Sequence, residues 1–302
     1  MPFCAGTAFL FYFHCMNEVL LNGKIISANE PVLTVTNRSF RYGDALFETL
    51  KVVKSRILLA QYHFERLFAG LSLIKISVPK FFTPEKIVSE IIQLSKRNKC
   101  EDLARVRLTV FRSDGDFPST RSGQVESDNS LQYLIECWPL SNTGNQMNEN
   151  GLMIDVFPDA RKSCDKFSNL KSANYQPYVM AALYAKENQL NDCLVLNVHE
   201  RICDAGIANV FWIKDEIIYT PPLTEGCIAG VMMRYLLEKI QGTKRKVQEK
   251  ICRINDLENA DEIFLTNAIK GIRWVRQFRN KNYTNQQIVQ IWNEIFPSIS
   301  QL

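Results

Sequence analysis

The order of apolar and polar residues along the chain follows two periods, of two and of about 3.6 residues, which predict strands and helices. Segments that alternate, or that form short β-branched runs between turn residues, are predicted as strands. In the first half these are Val19–Leu21, Lys24–Ser27, Leu46–Val53, Arg56–Leu59, Ala104–Phe111 and Leu131–Trp138. In the second half they lie near Cys193–Asn197, Val210–Ile213, Ile217–Tyr219 and Glu262–Thr266. The Asn22-Gly23 pair between the first two segments predicts a hairpin.

Helical spacing predicts five helices. They are His63–Ile74, Pro84–Arg97, the residues after Lys171, a segment that opens at Gly230, and a terminal segment near Asn285–Phe296. Thr83 is placed to cap the second helix, with Pro84 at its first helical position. The run Val179–Ala185 is almost entirely apolar, and this predicts that the helix after Lys171 is buried.

A polar segment at residues 141–151 contains two glycines and has no periodicity, so we predict a linker there. The chain then divides into a small N-terminal α/β domain at residues 16–140 and a larger C-terminal domain at residues 152–302. Residues 1–15 lack a basic segment before their apolar run, and a predicted strand follows Met16 at once. We therefore expect residues 1–15 to be an extension or a mis-assigned start.

Composition narrows the class of protein. The chain has 302 residues, 46% hydrophobic and 23% charged, which is typical of a globular protein with one large core or two domains. A net charge of +4 without a long basic run gives no reason to expect nucleic-acid binding. No apolar run is long enough to span a membrane, so we expect a cytoplasmic protein. Three histidines and nine scattered cysteines, without Cys-x-x-Cys spacing, disfavour a metal site and predict reduced thiols.

One lysine is a candidate for chemistry. Lys171 lies in the run Asn169-Leu170-Lys171-Ser172-Ala173-Asn174-Tyr175, just before an apolar helix. Burial disfavours the ammonium form of lysine and lowers its pKa, and the free amine is then the nucleophile that a Schiff-base enzyme needs. A lysine before a helix is also commonly a solvated charge, so this interpretation depends on the other motifs of the chain.

Several further motifs accompany Lys171 in a fixed order. They are the run Asn37–Thr49, His63-Phe64-Glu65-Arg66-Leu67, Lys171 with Asn174, Asp204 with Asn209 and Phe211, Thr220-Pro221-Pro222-Leu223, and Gly230-Val231. With these motifs, from about Asn17 to about Val275, the sequence resembles the class IV aminotransferase family, the fold-type IV enzymes that use pyridoxal 5′-phosphate. The family includes branched-chain and D-amino-acid aminotransferases and aminodeoxychorismate lyases.

The resemblance implies a two-domain α/β (α+β) fold with pyridoxal 5′-phosphate in the cleft between the domains, and a homodimer. It implies that Lys171 forms the Schiff base and that Arg66 binds the cofactor's phosphate. The other cofactor-binding positions that it implies are Tyr175, Asp204, Asn209, Gly230, Val231, Met232 and Asn267. Independently of the resemblance, free N–H groups at a helix opening suit a phosphate. Taken singly, Arg66 fits a helix surface, and Tyr175 and Asn267 fit core packing.

Two positions depart from the family pattern. Asp204 stands where glutamate usually faces the pyridine nitrogen, so its carboxylate is one methylene shorter and the ring or the strand must move closer. It also fits an ordinary turn beside Gly206. Met232 stands where many relatives carry threonine, so a hydroxyl contact to the phosphate is lost, while the backbone N–H groups of Val231 and Met232 remain available.

The expected substrate is an amino acid or another small amino-carboxylate. Arg105 and Arg107 fall on one face of a predicted strand, and Arg107 matches the position that holds the substrate carboxylate in relatives. A surface face is the alternative for this pair. Tyr42 is a further candidate for the pocket lining, with core packing as its alternative.

Transamination ranks first among the reactions that the resemblance implies. The substrate amine displaces Lys171, which then removes the Cα proton as a general base, and the amino group passes to a 2-oxo acid. The alternative is aminodeoxychorismate lyase, a β-elimination that gives 4-aminobenzoate and pyruvate in folate synthesis; Thr266-Asn267-Ala268 resembles this branch. Because Asp204 and Met232 are both off-pattern, a protein that binds the cofactor without turnover ranks third. A structural protein of this fold without cofactor ranks last.

Overall fold

The computed structural model describes residues 17–113, 131–141 and 147–299, with side chains up to residue 296. The chain forms two compact units. The first unit runs to Asn142 and also includes Ser172–Asn174, and the second contains the remainder, from Thr143 to Lys171 and from Tyr175 onward. The expected extension at residues 1–15 and residues 142–146 of the expected linker lie outside the described residues.

A six-stranded antiparallel sheet forms the centre of the first unit, in the order β2-β1-β6-β5-β3-β4. Its strands are β1 Glu18–Leu21, β2 Lys24–Ser27, β3 Ala45–Val53, β4 Arg56–Ile57, β5 Leu103–Arg112 and β6 Leu131–Pro139. The predicted hairpin joins β1 to β2, with φ of 50° at Asn22 and 83° at Gly23, the two positive values that its turn needs. Five of the six strands contain or match strands predicted from the sequence, and β4 is two residues shorter than the predicted Arg56–Leu59.

Three helices belong to the described part of this unit, α1 Arg38–Tyr42, α2 Ala60–Leu73 and α3 Pro84–Arg97. Thr83 caps α3 as predicted, because its hydroxyl accepts a hydrogen bond from the Lys86 N–H at 3.3 Å. The apolar residues of α3 face β1 and β6 and are fully buried at Ile87, Ile91 and Leu94. The short helix α1 was not predicted, since its five residues carry no apolar period.

The second unit contains a nine-stranded mixed sheet, in the order β12-β11-β10-β13-β14-β7-β8-β9 with β15 paired to β14. The strands are β7 Leu152–Lys162, β8 Asp192–Asn197, β9 Ile202–Ala205, β10 Asn209–Lys214, β11 Ile217–Thr220, β12 Lys246–Glu249, β13 Glu262–Asn267, β14 Gly271–Phe278 and β15 Lys281–Asn282. Its helices are α4 Gln176–Glu187, α5 Val231–Gln241, α6 Ile254–Glu258 and α7 Gln286–Ile299. Strand β7 is parallel to both of its neighbours, β14 and β8.

The helix after Lys171 forms as predicted, but the prediction that it is buried is wrong. Only one face of α4 contacts the sheet, through Tyr178, Ala181 and Ala185. Its other face leaves Val179 51% and Leu183 47% exposed. An all-apolar run does not distinguish a helix enclosed by its own chain from one that leaves a face exposed.

The described end of the expected linker packs on the second unit. The Asn148 side chain donates to the Trp274 carbonyl at 2.9 Å and accepts from the Trp274 N–H at 3.0 Å. The seven cysteines of the described residues are all free and six are buried, as predicted for reduced thiols. Among the described residues, no helix is both long and apolar enough to cross a membrane.

Candidate active site

Lys171 lies in the loop between β7 and α4, four residues before Tyr175. Its ammonium nitrogen is 5.6 Å from the centre of the Tyr175 ring. The side chain is partly rather than fully buried, because the loop and the outer face of α4 are open. The enclosure that the sequence suggested for this lysine is therefore only partial within one chain.

A short turn, Cys227–Ala229, connects this loop to the start of α5. The Asn169 side chain, two residues before Lys171, donates to the Cys227 carbonyl at 2.6 Å. The Asn169 carbonyl in turn accepts from the N–H of Ala229 at 3.1 Å. The loop that carries Lys171 is therefore fastened to the residues that precede the helix.

The same turn also binds the two polar residues of β9 and β10. The N–H of Ile228 donates to Asp204 at 2.9 Å, and the Asn209 side chain donates to the Ile228 carbonyl at 2.8 Å. One turn thus brings together the loop that carries Lys171, Asp204, Asn209 and the start of α5, which are far apart in the sequence.

Asp204 is buried, with 2% of its surface exposed, and both of its carboxylate oxygens are hydrogen-bonded. Oδ2 accepts from the Tyr178 hydroxyl at 2.7 Å, from Ile228 N–H at 2.9 Å and from Lys162 Nζ at 3.2 Å, while Oδ1 accepts from Asn209 at 3.1 Å. Burial raises the pKa of Asp204, and Lys162 and the hydrogen bonds counteract part of that rise. The residue is a fixed, buried acceptor rather than a turn aspartate.

The start of α5 offers backbone donors without a side-chain cap. Gly230 occupies the cap position in an extended conformation, and the first intrahelical bond runs from the Arg234 N–H to the Gly230 carbonyl at 2.9 Å. The N–H groups of Val231 and Met232 lie in the first turn, where an anion is stabilised by free N–H groups and by the helix dipole. The Met232 side chain is itself buried, at 3% exposure.

Tyr175 and Asn267 both contact the loop that follows β9. The Tyr175 hydroxyl donates to the Gly206 carbonyl at 3.3 Å, and its ring stacks on Tyr178 with centroids 4.4 Å apart. The Asn267 side chain donates to the Ile207 carbonyl at 3.3 Å. These two residues therefore hold the backbone next to Asp204.

The first unit contains the other three candidates. Arg66 on α2 binds the buried Glu48 of β3 through two hydrogen bonds. Arg107 on β5 stacks over the Phe47 ring with its guanidinium carbon 3.8 Å from the centroid, and Arg105 shares its face of the sheet, as predicted. Tyr42 on α1 is 54% exposed.

Three residues beside these candidates were not identified from the sequence. Lys162 and Tyr178 contact Asp204 in the second unit, and Glu48 orients Arg66 in the first. Lys162 ends a strand that was not predicted, and Tyr178 resembles any buried residue of a helix. The sequence around these two residues therefore did not indicate a contact with Asp204. Glu48 lies within the run Asn37–Thr49, and an acid on an otherwise apolar strand is a signal that it needs a partner.

Comparisons with a family model and with individual proteins point to the same family. Residues 45–278 match the model of the family described as amino-transferase class IV. Aminodeoxychorismate lyase of Vibrio harveyi is 27% identical over 239 residues, which cover 78% of this chain and 83% of that protein. D-alanine aminotransferase of Bacillus licheniformis is 24% identical over 252 residues, which cover 83% of this chain and 84% of that protein.

A solved structure agrees on the fold. The branched-chain aminotransferase of the thermophilic archaeon Thermoproteus uzoniensis, solved with norvaline, superposes with a TM-score of 0.80 at 19% identity. The superposition covers 95% of this chain and 94% of that one. The mixed α/β fold with two sheets is therefore that of the fold-type IV pyridoxal-phosphate enzymes, as predicted. The names of the sequence relatives are divided between aminotransferase and lyase.

Proposed function

Because the chain belongs to the class IV aminotransferase family, we propose that it binds pyridoxal 5′-phosphate on Lys171 and transfers the amino group of an amino acid to a 2-oxo acid. The observation that carries the proposal is the turn Cys227–Ala229, which hydrogen-bonds to Asn169, Asp204 and Asn209. It gathers the loop that carries Lys171, the buried acid Asp204 and an uncapped helix start. These three features match the aldehyde, the pyridine nitrogen and the phosphate of this cofactor.

The residues of the second unit fit the cofactor chemically. A phosphate dianion matches the free N–H groups at Val231 and Met232, and a protonated pyridine matches the buried carboxylate of Asp204. Gly230 leaves room at this point, since a Cβ there would lie 1.8 Å from the Asn209 side-chain oxygen. The shorter aspartate is held by four donors, so its position is fixed in spite of the missing methylene.

When bound, pyridoxal phosphate supplies an electron sink for the bond that breaks at the substrate Cα. The protein's own part in the reaction is to hold charges and to move one proton. In this proposal Lys171 Nζ takes the proton from Cα and returns it, as general base and then general acid. Asp204 keeps a negative charge fixed in a dry environment. Arg107 binds the substrate carboxylate, and Arg66 binds the phosphate.

A lyase is the second candidate, and two observations favour it. The lyase of Vibrio harveyi is 27% identical to this chain. In addition, Thr266-Asn267-Ala268 ends β13 at a turn whose Asn267 side chain bonds to the loop after Asp204. In that reaction Lys171 removes the same proton, and aminodeoxychorismate then loses pyruvate by β-elimination to leave 4-aminobenzoate.

We propose in addition that the protein is a homodimer. The outer face of α4 exposes three neighbouring apolar side chains, Val179, Met180 and Leu183, at 44–51%. Exposed apolar groups on one helix face favour contact with another surface. Light scattering with size-exclusion chromatography tests this proposal, and a monomeric mass at micromolar concentration would contradict it.

The first experiment is an absorbance measurement without an amino acceptor. The protein is loaded with pyridoxal phosphate and mixed with single D- and L-amino acids. Replacement of the band of lysine-bound cofactor by that of pyridoxamine 5′-phosphate supports a transaminase and identifies its donor. If the band persists, aminodeoxychorismate is added and pyruvate is assayed. A bound cofactor that responds to no amine would indicate a binding protein, and no bound cofactor would refute the proposal.

A further inference from the structure

Lys162 and Asp204 form a buried ion pair in the second unit. Lys162 Nζ lies 3.2 Å from Asp204 Oδ2, and the two side chains are 11% and 3% exposed. The lysine belongs to none of the sequence motifs, and it ends strand β7, whereas Asp204 lies on β9. Its ammonium group also lies 5.2 Å from the centre of the Tyr178 ring. The lysine is therefore held between an acid and an aromatic ring.

A buried carboxylate needs a compensating charge. Burial alone favours the neutral acid, and an adjacent cation favours the carboxylate. Removing one partner of a buried pair leaves the other charge uncompensated, and a carboxylate can then respond by taking up a proton. A neutral acid at Asp204 would be a poor partner for a protonated pyridine ring.

We propose that Lys162 is a positioning residue that keeps Asp204 ionised and in place before the cofactor binds. The inference rests on the proposed function, because that function supplies the cofactor whose pyridine nitrogen Asp204 would bind. Lys162 acts through Asp204. The Tyr178 hydroxyl and the Ile228 N–H share Oδ2 with it, so the oxygen remains oriented while the ammonium supplies the charge.

Other titratable groups near Asp204 must be separated from this effect. Burial holds the pKa of the Tyr178 hydroxyl and of the Cys203 and Cys227 thiols well above their ordinary values, so none of them titrates near neutral pH. Asp192 on β8 does titrate in the experimental range, since burial raises its pKa to about 6. The experiment therefore keeps Asp192 in every variant and compares the ratio of each variant's dissociation constant to that of the wild type at the same pH.

The test is a double-mutant cycle on cofactor affinity rather than on activity. The wild type, Lys162→Met, Asp204→Asn and the double variant are titrated with pyridoxamine 5′-phosphate, which forms no Schiff base with Lys171. Dissociation constants are measured by equilibrium dialysis from about pH 6 to about pH 8.5, the range in which a carboxyl with a raised pKa changes its charge. Lys166→Met serves as the matched control. Lys166 lies four residues after Lys162 in the loop that follows β7, is exposed, and contacts the Phe167 ring rather than Asp204.

We expect Lys162→Met to bind pyridoxamine 5′-phosphate more weakly than the wild type does, and the loss of affinity to grow as the pH falls. Below the pKa that Asp204 has in this variant, the ratio of its dissociation constant to that of the wild type grows by about tenfold per pH unit. The reason is that a protonated Asp204 no longer pairs with the ligand's pyridine ring. In the Asp204→Asn background the same substitution gives no pH-dependent loss. Lys162→Arg restores most of the affinity, and Lys166→Met matches the wild type throughout.

A ratio of dissociation constants between Lys162→Met and wild type that stays constant with pH would overturn the inference. So would an equal loss in the Asp204→Asn background. If Lys162→Met fails to fold, Lys162→Arg and Lys162→Gln are compared instead, and equal affinities at the acid end of the titration would overturn it. Failure of the proposed function is a different result, since the wild type itself would then not bind pyridoxamine 5′-phosphate.

Discussion

Glu48 holds Arg66 through both of its carboxylate oxygens, with Nε to Oε1 at 2.8 Å and Nη2 to Oε2 at 2.5 Å. His63 Nδ1 lies 2.6 Å from the same Oε2. Burial opposes the charge on Glu48, but Arg66 and His63 outweigh that effect and lower its pKa to about 2. The acid therefore remains ionised over the whole physiological range and fixes the plane of the guanidinium.

Replacement of Glu48 by glutamine should destabilise the protein strongly. The change removes the charge that compensates a largely buried arginine, and breaking such pairs costs about 3–5 kcal/mol. Urea unfolding at neutral pH measures the loss in the free energy of unfolding. Glu238→Gln is the control, because Glu238 pairs with Arg234 on the exposed surface of α5 and should leave stability unchanged. Equal stabilities of both variants would show that the pair is not essential.

Replacement of Lys171 by alanine should abolish the absorbance band of the lysine-bound cofactor. If the Schiff base forms at Lys171, the alanine variant has no amine in its place to bind the cofactor. Turnover should also fall by at least about a thousandfold, because the general base is lost. Borohydride reduction of the loaded wild type, followed by peptide mass analysis, should place the cofactor on Lys171. Lys166→Ala, in the same loop, should keep both the band and the labelled peptide. A band that survives in the alanine variant would assign the Schiff base to another lysine.

Local signals predicted the regular elements of the fold. The helix α3 has a hydroxyl cap at Thr83, a proline at its first position and a strong apolar face, so its bounds were predicted to the residue. The hairpin at Asn22-Gly23 was predicted equally well, because a two-residue turn with positive φ admits few residue pairs. In both cases the information lies within a few adjacent positions.

Properties that depend on distant residues were not predicted. The exposure of Val179 on α4 depends on what covers the helix, and the contact of Lys162 with Asp204 joins residues 42 positions apart. The motifs named both Asp204 and Asn209, and the structure joins the two by a hydrogen bond of 3.1 Å. The partners that fix the charge of Asp204 came only with the three-dimensional structure.

Gly230→Ala should disturb the candidate site through Asn209. A Cβ at Gly230 would lie 1.8 Å from the Asn209 side-chain oxygen, so the amide must move and its bonds to Asp204 and Ile228 must stretch. We expect a loss of about 1–3 kcal/mol in the free energy of unfolding, as for other overpacked positions, together with weaker cofactor binding. Gly242→Ala at the other end of α5 is the control, because its Cβ meets only the Lys239 carbonyl at 3.4 Å. Equal melting temperatures of the two variants would contradict this prediction.

Asp192 should make stability fall as pH rises between about 4 and about 6. Its carboxylate accepts from the N–H groups of Cys193 and Gly206 at 2.8 and 2.9 Å, but burial outweighs these bonds and raises its pKa from 3.8 to about 6. The folded protein therefore binds a proton in this window that the unfolded chain releases, so the contribution is complete below pH 3.8 and is lost as the pH passes 6. Asp192→Asn has no such proton, and its stability relative to the wild type should improve by about 3 kcal/mol from about pH 4 to about pH 7. Urea unfolding across this range measures the difference, with the exposed Asp215→Asn as control. A difference that does not change with pH would mean that Asp192 is already ionised throughout the window.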